Sequence, residues 1–83
     1  MNEPESDATA LNGIVLKIFK STRGWLTAYQ LREMVIEYYD RWVSDSTVMS
    51  RKRDLQLSRY GGHQFEKRRL PHSHSCEYRL VGK

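Results

Sequence analysis

The spacing of apolar residues changes once along this 83-residue chain, at the Gly61-Gly62 pair, and that change limits the folds open to it. Before the pair, apolar side chains recur every three or four residues, which is the pattern of amphipathic helices. After it, residues 64–69 and 76–81 read as two strands around a turn-rich segment, 70–75, which indicates a β-hairpin. The sequence therefore predicts an α+β fold with helices first and a hairpin last.

The first helix is predicted from an apolar stripe that begins after Ala8. Positions three and four residues apart along a helix share one face, and five apolar residues follow that spacing: Leu11, Ile14, Val15, Ile18 and Phe19. The segment from Ser21 to Gly24 ends the element. We expect this stripe to be buried against the other helices.

The second and third helices are predicted from their capping residues. Thr27 followed by Gln30 is a capping-box pattern, so a helix starts there and ends near Tyr39 or Asp40. Its inward stripe is predicted to be Leu31, Met34, Val35 and Tyr38. Ser44 caps the third helix, whose inward seam is Val48, Lys52 and Leu55. Three helices then precede the hairpin, to which Trp25 and Leu26 could add a short strand.

The chain is long enough for one domain with one core. Residues 1–7 carry three acids and a proline, with no apolar residue after Met1, and are predicted to be a disordered acidic tail on a domain of residues 8–83. Cys76 is the only cysteine, so no internal disulfide forms and a reducing compartment fits. Neither a membrane span nor a signal peptide is recognisable, and we expect a cytoplasmic protein without membrane association.

Charge is distributed unevenly between the two parts of the chain. Residues 1–50 hold five basic and seven acidic residues, a net charge of −2, whereas residues 51–83 hold nine and three, a net charge of +6. A surface of this sign attracts polyanions, and nucleic acid is the first candidate. The chain is too short to build a substrate cleft around Cys76, so we expect no enzymatic activity.

Three segments resemble the small winged helix-turn-helix domains of bacterial and phage DNA-binding proteins. They are WLTAYQL, SDSTVMSRKRDL and QFEKRRLPHSHSCEYRL, and the resemblance covers residues 8–81. The matching positions are Ser44, Thr47, Val48, Arg51, Asp54, Leu55, Gly61, Arg68, Arg69, Tyr78, Arg79 and Leu80. Lys52 departs from the pattern, because the family carries an aliphatic residue there. We expect its methylenes to cover the core while its amine extends to solvent.

The resemblance implies a helix-turn-helix core with a C-terminal hairpin wing and sequence-specific binding of double-stranded DNA, in a small transcriptional regulator or phage accessory factor. The third helix would enter the major groove and the basic wing would lie on the DNA backbone. Hydroxyl and guanidinium groups are suited to phosphates and base edges. The candidate DNA-binding residues are Ser46, Thr47, Ser50, Arg51 and Arg53 on the helix, and Lys67, Arg68, Arg69, His72 and His74 on the wing.

Other roles compete for the same residues. Each arginine could form a surface salt bridge instead, and charges on an exposed strand also prevent aggregation. His72, His74 and Cys76 are zinc-ligand types, but alternate strand residues lie ~6–7 Å apart, so we expect no metal and no cofactor. A surface from Tyr39 to Trp42 could bind a protein partner or a second copy, and exposed aromatics beside cations could bind single strands. One small domain offers few contacts, so high affinity requires paired or cooperative copies.

Overall fold

The computed structural model describes the backbone of residues 4–22 and 24–82. Its elements are α1 (Pro4–Ser21), β1 (Leu26–Thr27), α2 (Ala28–Tyr39), α3 (Asp45–Leu55), a single 3₁₀ turn (Ser58–Tyr60), β2 (Gln64–Arg69) and β3 (Cys76–Gly82). The three strands form an antiparallel sheet in the order β1-β3-β2. Three packed helices followed by a hairpin make the winged-helix-like α+β arrangement that the change of periodicity predicted.

Side-chain caps determine where α2 and α3 begin. The Thr27 Oγ1 accepts a hydrogen bond from the Gln30 backbone N–H at 3.1 Å, and the Gln30 Oε1 accepts one from the Thr27 N–H at 3.0 Å. Ser44 Oγ accepts from the Thr47 N–H at 3.1 Å. These bonds satisfy backbone donors that have no partner within the helix. The starts of both helices are therefore as predicted.

The start of α1 differs from the prediction. Pro4–Asp7, which the composition assigned to a disordered tail, are helical, and residues 1–3 lie outside the described part of the chain. Proline suits the first helical position because its fixed φ is already helical and its missing N–H would have no partner there. The apolar stripe marks only the packed part of a helix, so the prediction began where packing begins rather than where the helix begins.

The core lies between the three helices and under the sheet. Ten apolar side chains are buried in it: Leu11, Val15, Ile18, Phe19, Leu26, Leu31, Val35, Val43, Val48 and Leu55. The predicted inward stripe of α2 was wrong at Tyr38, which is 57% exposed. Tyr38 is near the end of α2, and its ring lies against α1 with the Lys17 Nζ 5.5 Å from the ring centroid.

The hairpin packs on this core through one of its faces. Phe65 of β2 and Tyr78 and Leu80 of β3 contact the core, and the Phe65 and Phe19 rings meet edge to face at 4.9 Å. β1 pairs with β3 at Leu26 opposite Tyr78. β1 therefore begins at Leu26, one residue later than the predicted strand Trp25-Leu26. It connects the hairpin to the start of α2.

The glycine pair shapes the turn between α3 and the hairpin. Gly61 and Gly62 have φ values of 109° and 58°, a region that other residues rarely adopt. A Cβ on Gly61 would lie 2.5 Å from the His63 Nε2. The pair ends the 3₁₀ turn rather than α3, which already stops at Leu55.

Among the described helices, none combines the length and the hydropathy needed to cross a membrane.

Leu31→Ala tests whether the interface between the helices carries the stability of the fold. Leu31 is fully buried, so its truncation is expected to lower the free energy of unfolding by ~2–5 kcal/mol in urea titrations. Glu37→Ala is the control, because Glu37 is exposed on the same helix and its loss should cost less than ~0.5 kcal/mol. Equal effects of the two substitutions would contradict this packing.

Candidate nucleic-acid interface

The outward face of α3 carries the hydroxyl and guanidinium groups that the sequence singled out. Ser46, Ser50 and Arg53 follow the spacing of one helical face, opposite the buried Val48 and Leu55. Ser46 and Arg53 are exposed and Ser50 is half-buried. These three side chains form a polar stripe along the helix, to which we refer as the α3 stripe.

Two other predicted residues of α3 are engaged within the protein. Thr47 lies in the first turn of α3, where its Oγ1 accepts a hydrogen bond from the Oγ of the N-cap residue, Ser44, at 3.0 Å. The Arg51 guanidinium forms an ion pair with Asp54 at 3.1 Å, and its side chain is 22% exposed. For Arg51, the structure therefore shows the salt bridge that was the alternative to DNA contact.

Arg68 is also paired, on the sheet face turned away from the helices. Its Nε lies 2.8 Å from the Glu77 Oε1, directly across the β2–β3 ladder. Arg79 forms the matching pair with Glu66, its Nε donating to the Glu66 Oε1 at 3.1 Å. The two guanidinium carbons lie 4.2 Å and 4.7 Å from the centroid of the Trp25 ring. Cation–π contacts and cross-strand ion pairs thereby hold both arginines against the sheet.

Lys67 and Arg69 lie on the opposite side of β2 from Arg68. Alternate residues of a strand share a face, so both lie on the same face as Phe65. Their side chains are exposed, and in the described part of the chain neither contacts a carboxylate. His72 and His74 are exposed at the hairpin turn, where they line with Arg69 a concavity of about 430 Å³. The unpaired cations Lys67 and Arg69 of the described residues are therefore on one strand face of the hairpin, and two exposed imidazoles are at its tip.

The ion pairs explain which cations remain free. Residues 51–83 contain three carboxylates, Asp54, Glu66 and Glu77, and all three are paired with arginines. Arg53, Lys67 and Arg69 have no such partner among the described residues. Arg59 on the 3₁₀ turn is exposed and has no such partner either. The positive charge of this part of the chain therefore acts on solvent from α3, the 3₁₀ turn and β2, since its acidic side chains are paired with arginines.

Lys52 does not extend into solvent as expected. The residue is 9% exposed, and its Nζ lies 4.8 Å from the centroid of the Phe65 ring and 5.0 Å from that of Tyr78. The ammonium donates to the Gln56 Oε1 at 3.4 Å. Burial lowers the pKa of Lys52, and the nearby charges of Arg53 and Lys67 lower it further. The ring faces attract the ammonium, so the side chain folds towards the hairpin.

The sequence analysis did not predict the contacts of Trp25, Arg79 and Lys52. A signal for the ion pairs was present, because each strand carries an acid and an arginine two residues apart, Glu66 with Arg68 and Glu77 with Arg79. Placing Glu66 opposite Arg79 requires the strand register, however, which the turn-rich loop did not specify. No three His, Cys, Asp or Glu side chains of the described residues come together as a metal-binding group.

The aromatic segment at the end of α2 is partly solvent-facing. Trp42 is 71% exposed, whereas Tyr39 is half-buried with the Arg41 guanidinium carbon 5.6 Å from its ring centroid.

No family model, curated protein or solved structure matches the chain.

Lys52→Met is expected to leave the free energy of unfolding at pH 7 unchanged or higher, because it removes a buried charge and keeps the side-chain length. The lowered pKa means that the unfolded chain binds a proton more tightly than the folded protein. Wild-type stability should therefore rise as the pH approaches the ordinary lysine value of about 10.4, relative to the Met variant.

Urea unfolding of both proteins between pH 7 and about 10 measures this difference. Groups common to both proteins cancel in the comparison. Parallel stability curves across the alkaline range would contradict a burial penalty on the Lys52 ammonium.

Proposed function

We propose that this protein binds double-stranded DNA without catalysis, with α3 in the major groove and the hairpin along the backbone. One observation carries the proposal: Arg53, Lys67 and Arg69 are exposed on α3 and β2 without carboxylate partners, while every acid of residues 51–83 is paired. Unneutralised cations on an exposed surface are what a polyanion recognises.

The α3 stripe supports sequence readout. A major groove ~12 Å wide admits one α-helix, and Ser46, Ser50 and Arg53 project from the same side of α3. Arginine suits guanine because its planar fork donates two parallel hydrogen bonds, and serine hydroxyls donate and accept at either groove edge or phosphate. In this proposal the stripe reads bases and confers specificity.

The hairpin supports backbone contact through one face only. Lys67 and Arg69 are available to phosphates, as are His72 and His74 at the tip, whereas Arg68 is committed to Glu77 and Trp25. Phosphate contacts provide affinity and fix the orientation of a protein on the duplex. A protein with this role would act as a small transcriptional regulator or a phage accessory factor, and pairing of copies on adjacent half-sites would raise its affinity.

Binding of a protein partner is the second candidate, and the exposed indole of Trp42 favours it. Aromatic residues are enriched at protein interfaces because they bury a large area at low entropic cost. Trp42→Ala separates the two candidates. If Trp42 lies on a surface for a protein partner, the substitution should abolish binding of that partner and leave duplex binding unchanged.

Arg69→Ala and Arg68→Ala form a matched pair that tests the hairpin. Removing the free cation at Arg69 is expected to weaken duplex binding on any sequence and to reduce the slope of log K against log salt by ~0.9. Removing Arg68 should change that slope much less, because its charge is neutralised by Glu77. Fluorescence anisotropy with random duplex at several salt concentrations measures both, and equal slopes for both variants would overturn this assignment.

The α3 stripe is tested by selecting bound sites from random duplex DNA and then replacing Ser50 or Arg53 with alanine. A side chain that contacts a base edge should cost ~1–3 kcal/mol on the selected site and much less on random duplex. Equal losses on both duplexes for every substitution in the stripe would show that α3 only positions the protein. Absence of any enriched site, with equal binding to single strands and heparin, would contradict the proposed function.

A further inference from the structure

Three cations meet where α3 approaches β2. The Lys52 Nζ lies over the rings of Phe65 and Tyr78, at 4.8 Å and 5.0 Å from their centroids. Lys67 is directly opposite Tyr78 in the β2–β3 ladder, so its side chain is on the same sheet face and beside the same ring. Arg53 follows Lys52 on α3. The helix and one strand thus bring the charges of Lys52 and Lys67 to the same aromatic pair, and Arg53 is near enough for its charge to act on the Lys52 ammonium.

Within residues 4–22 and 24–82, no carboxylate is paired with these cations. Among the described residues, none of the three cations has a carboxylate oxygen within 4.0 Å. The ring faces of Phe65 and Tyr78 and the amide of Gln56 are the groups that contact the Lys52 ammonium. An aliphatic residue in place of Lys52 would pack in the seam of α3 without the cost of burying a charge. The Lys52 ammonium therefore has aromatic and amide contacts, and its charge is available to an anion that approaches from solvent.

We propose that Lys52, Arg53 and Lys67 form a phosphate-binding subsite between the end of α3 and β2. Lys67 is exposed and would contact the phosphate oxygens directly, and the Lys52 ammonium would add its charge from a position largely shielded from water. Arg53, which belongs to the α3 stripe, would add its charge from the neighbouring position of the helix. The recognised chemistry is a phosphate dianion or diester. A phosphate of the DNA backbone is one source, which rests on the proposed function, and a free phosphate is the other.

The distance between α3 and the hairpin fits this role. Among the described residues, no Cα atom of α3 lies within 8 Å of a Cα atom of β2 or β3, so the Lys52 side chain bridges a gap between the two elements. An anion bound in this gap would interact with residues of α3 and of β2 at the same time. The subsite would then couple the α3 stripe to the hairpin.

The test uses the full chain with two probes, inorganic phosphate and a random duplex, at constant ionic strength. Side-chain ¹⁵N NMR follows the lysine ammonium signals during phosphate titration, and anisotropy follows duplex binding. The variants are Lys52→Met and Lys67→Met. Lys20→Met is the control, because Lys20 is an exposed lysine of α1 with the same charge.

In the wild type, phosphate should shift the Lys52 and Lys67 signals saturably. Lys52→Met and Lys67→Met should each weaken phosphate and duplex binding about tenfold, which corresponds to ~1.4 kcal/mol, while Lys20→Met changes either affinity less than twofold. Lys52→Met should do so with its melting temperature unchanged or raised, an outcome that a purely structural lysine would not give.

Phosphate and duplex affinities unchanged in Lys52→Met would overturn the subsite, even if duplex binding by the wild type upheld the proposed function. Saturable phosphate binding that depends on Lys52, without duplex binding, would support the subsite for a free phosphate and overturn the proposed function. Equal losses in all three variants would also overturn the subsite, because they would reflect net charge alone.

Discussion

The contact between the hairpin and the helices determines the geometry of everything that lies on the basic side of this molecule. Phe65, Tyr78 and Leu80 pack on the helical core, and Lys52 extends from α3 to lie over two of those rings. Among the described residues, no Cα atom of α3 lies within 8 Å of one in β2 or β3, and the Lys52 side chain crosses this separation to reach the two rings. The spacing between the two cationic surfaces therefore depends on a residue that combines an apolar stem with a charge.

Elements could be predicted from the sequence wherever local chemistry determines them. The caps at Thr27 and Ser44 and the turn around Gly61 each depend on residues a few positions apart, and the structure confirms them. The first helix was expected to follow Asp7 but begins at Pro4, because an apolar stripe marks only the packed part of a helix and proline is well suited to a first helical position. The prediction that Tyr38 faces inward was wrong because apolar periodicity cannot show where a neighbouring helix stops covering α2.

The candidate site was less predictable for a related reason. Which cations remain free depends on register, since Arg68 meets Glu77 only if the strands align as they do. A sequence shows nine basic residues in the last 33 positions, but it does not show that ion pairs engage Arg51, Arg68 and Arg79. Long-range pairing therefore divides the basic residues into those that stabilise the fold and those that face solvent. The inward position of Lys52 was predicted from the seam of α3, but the path of its ammonium was not, because that depends on the rings that the hairpin brings to it.

The two-residue strand β1 also has a consequence for the order of folding. Its pairing of Leu26 with Tyr78 closes a loop that contains α2, α3 and β2, and closing a long loop costs more entropy than forming a local helix. Pairings between distant parts of a chain are slow to form, so this one should follow the helices. During synthesis Leu26 leaves the ribosome long before Tyr78 and has no sheet partner until β3 is made. The exposed cations of α3 and β2 therefore reach their final arrangement only after β3 has been made and has paired.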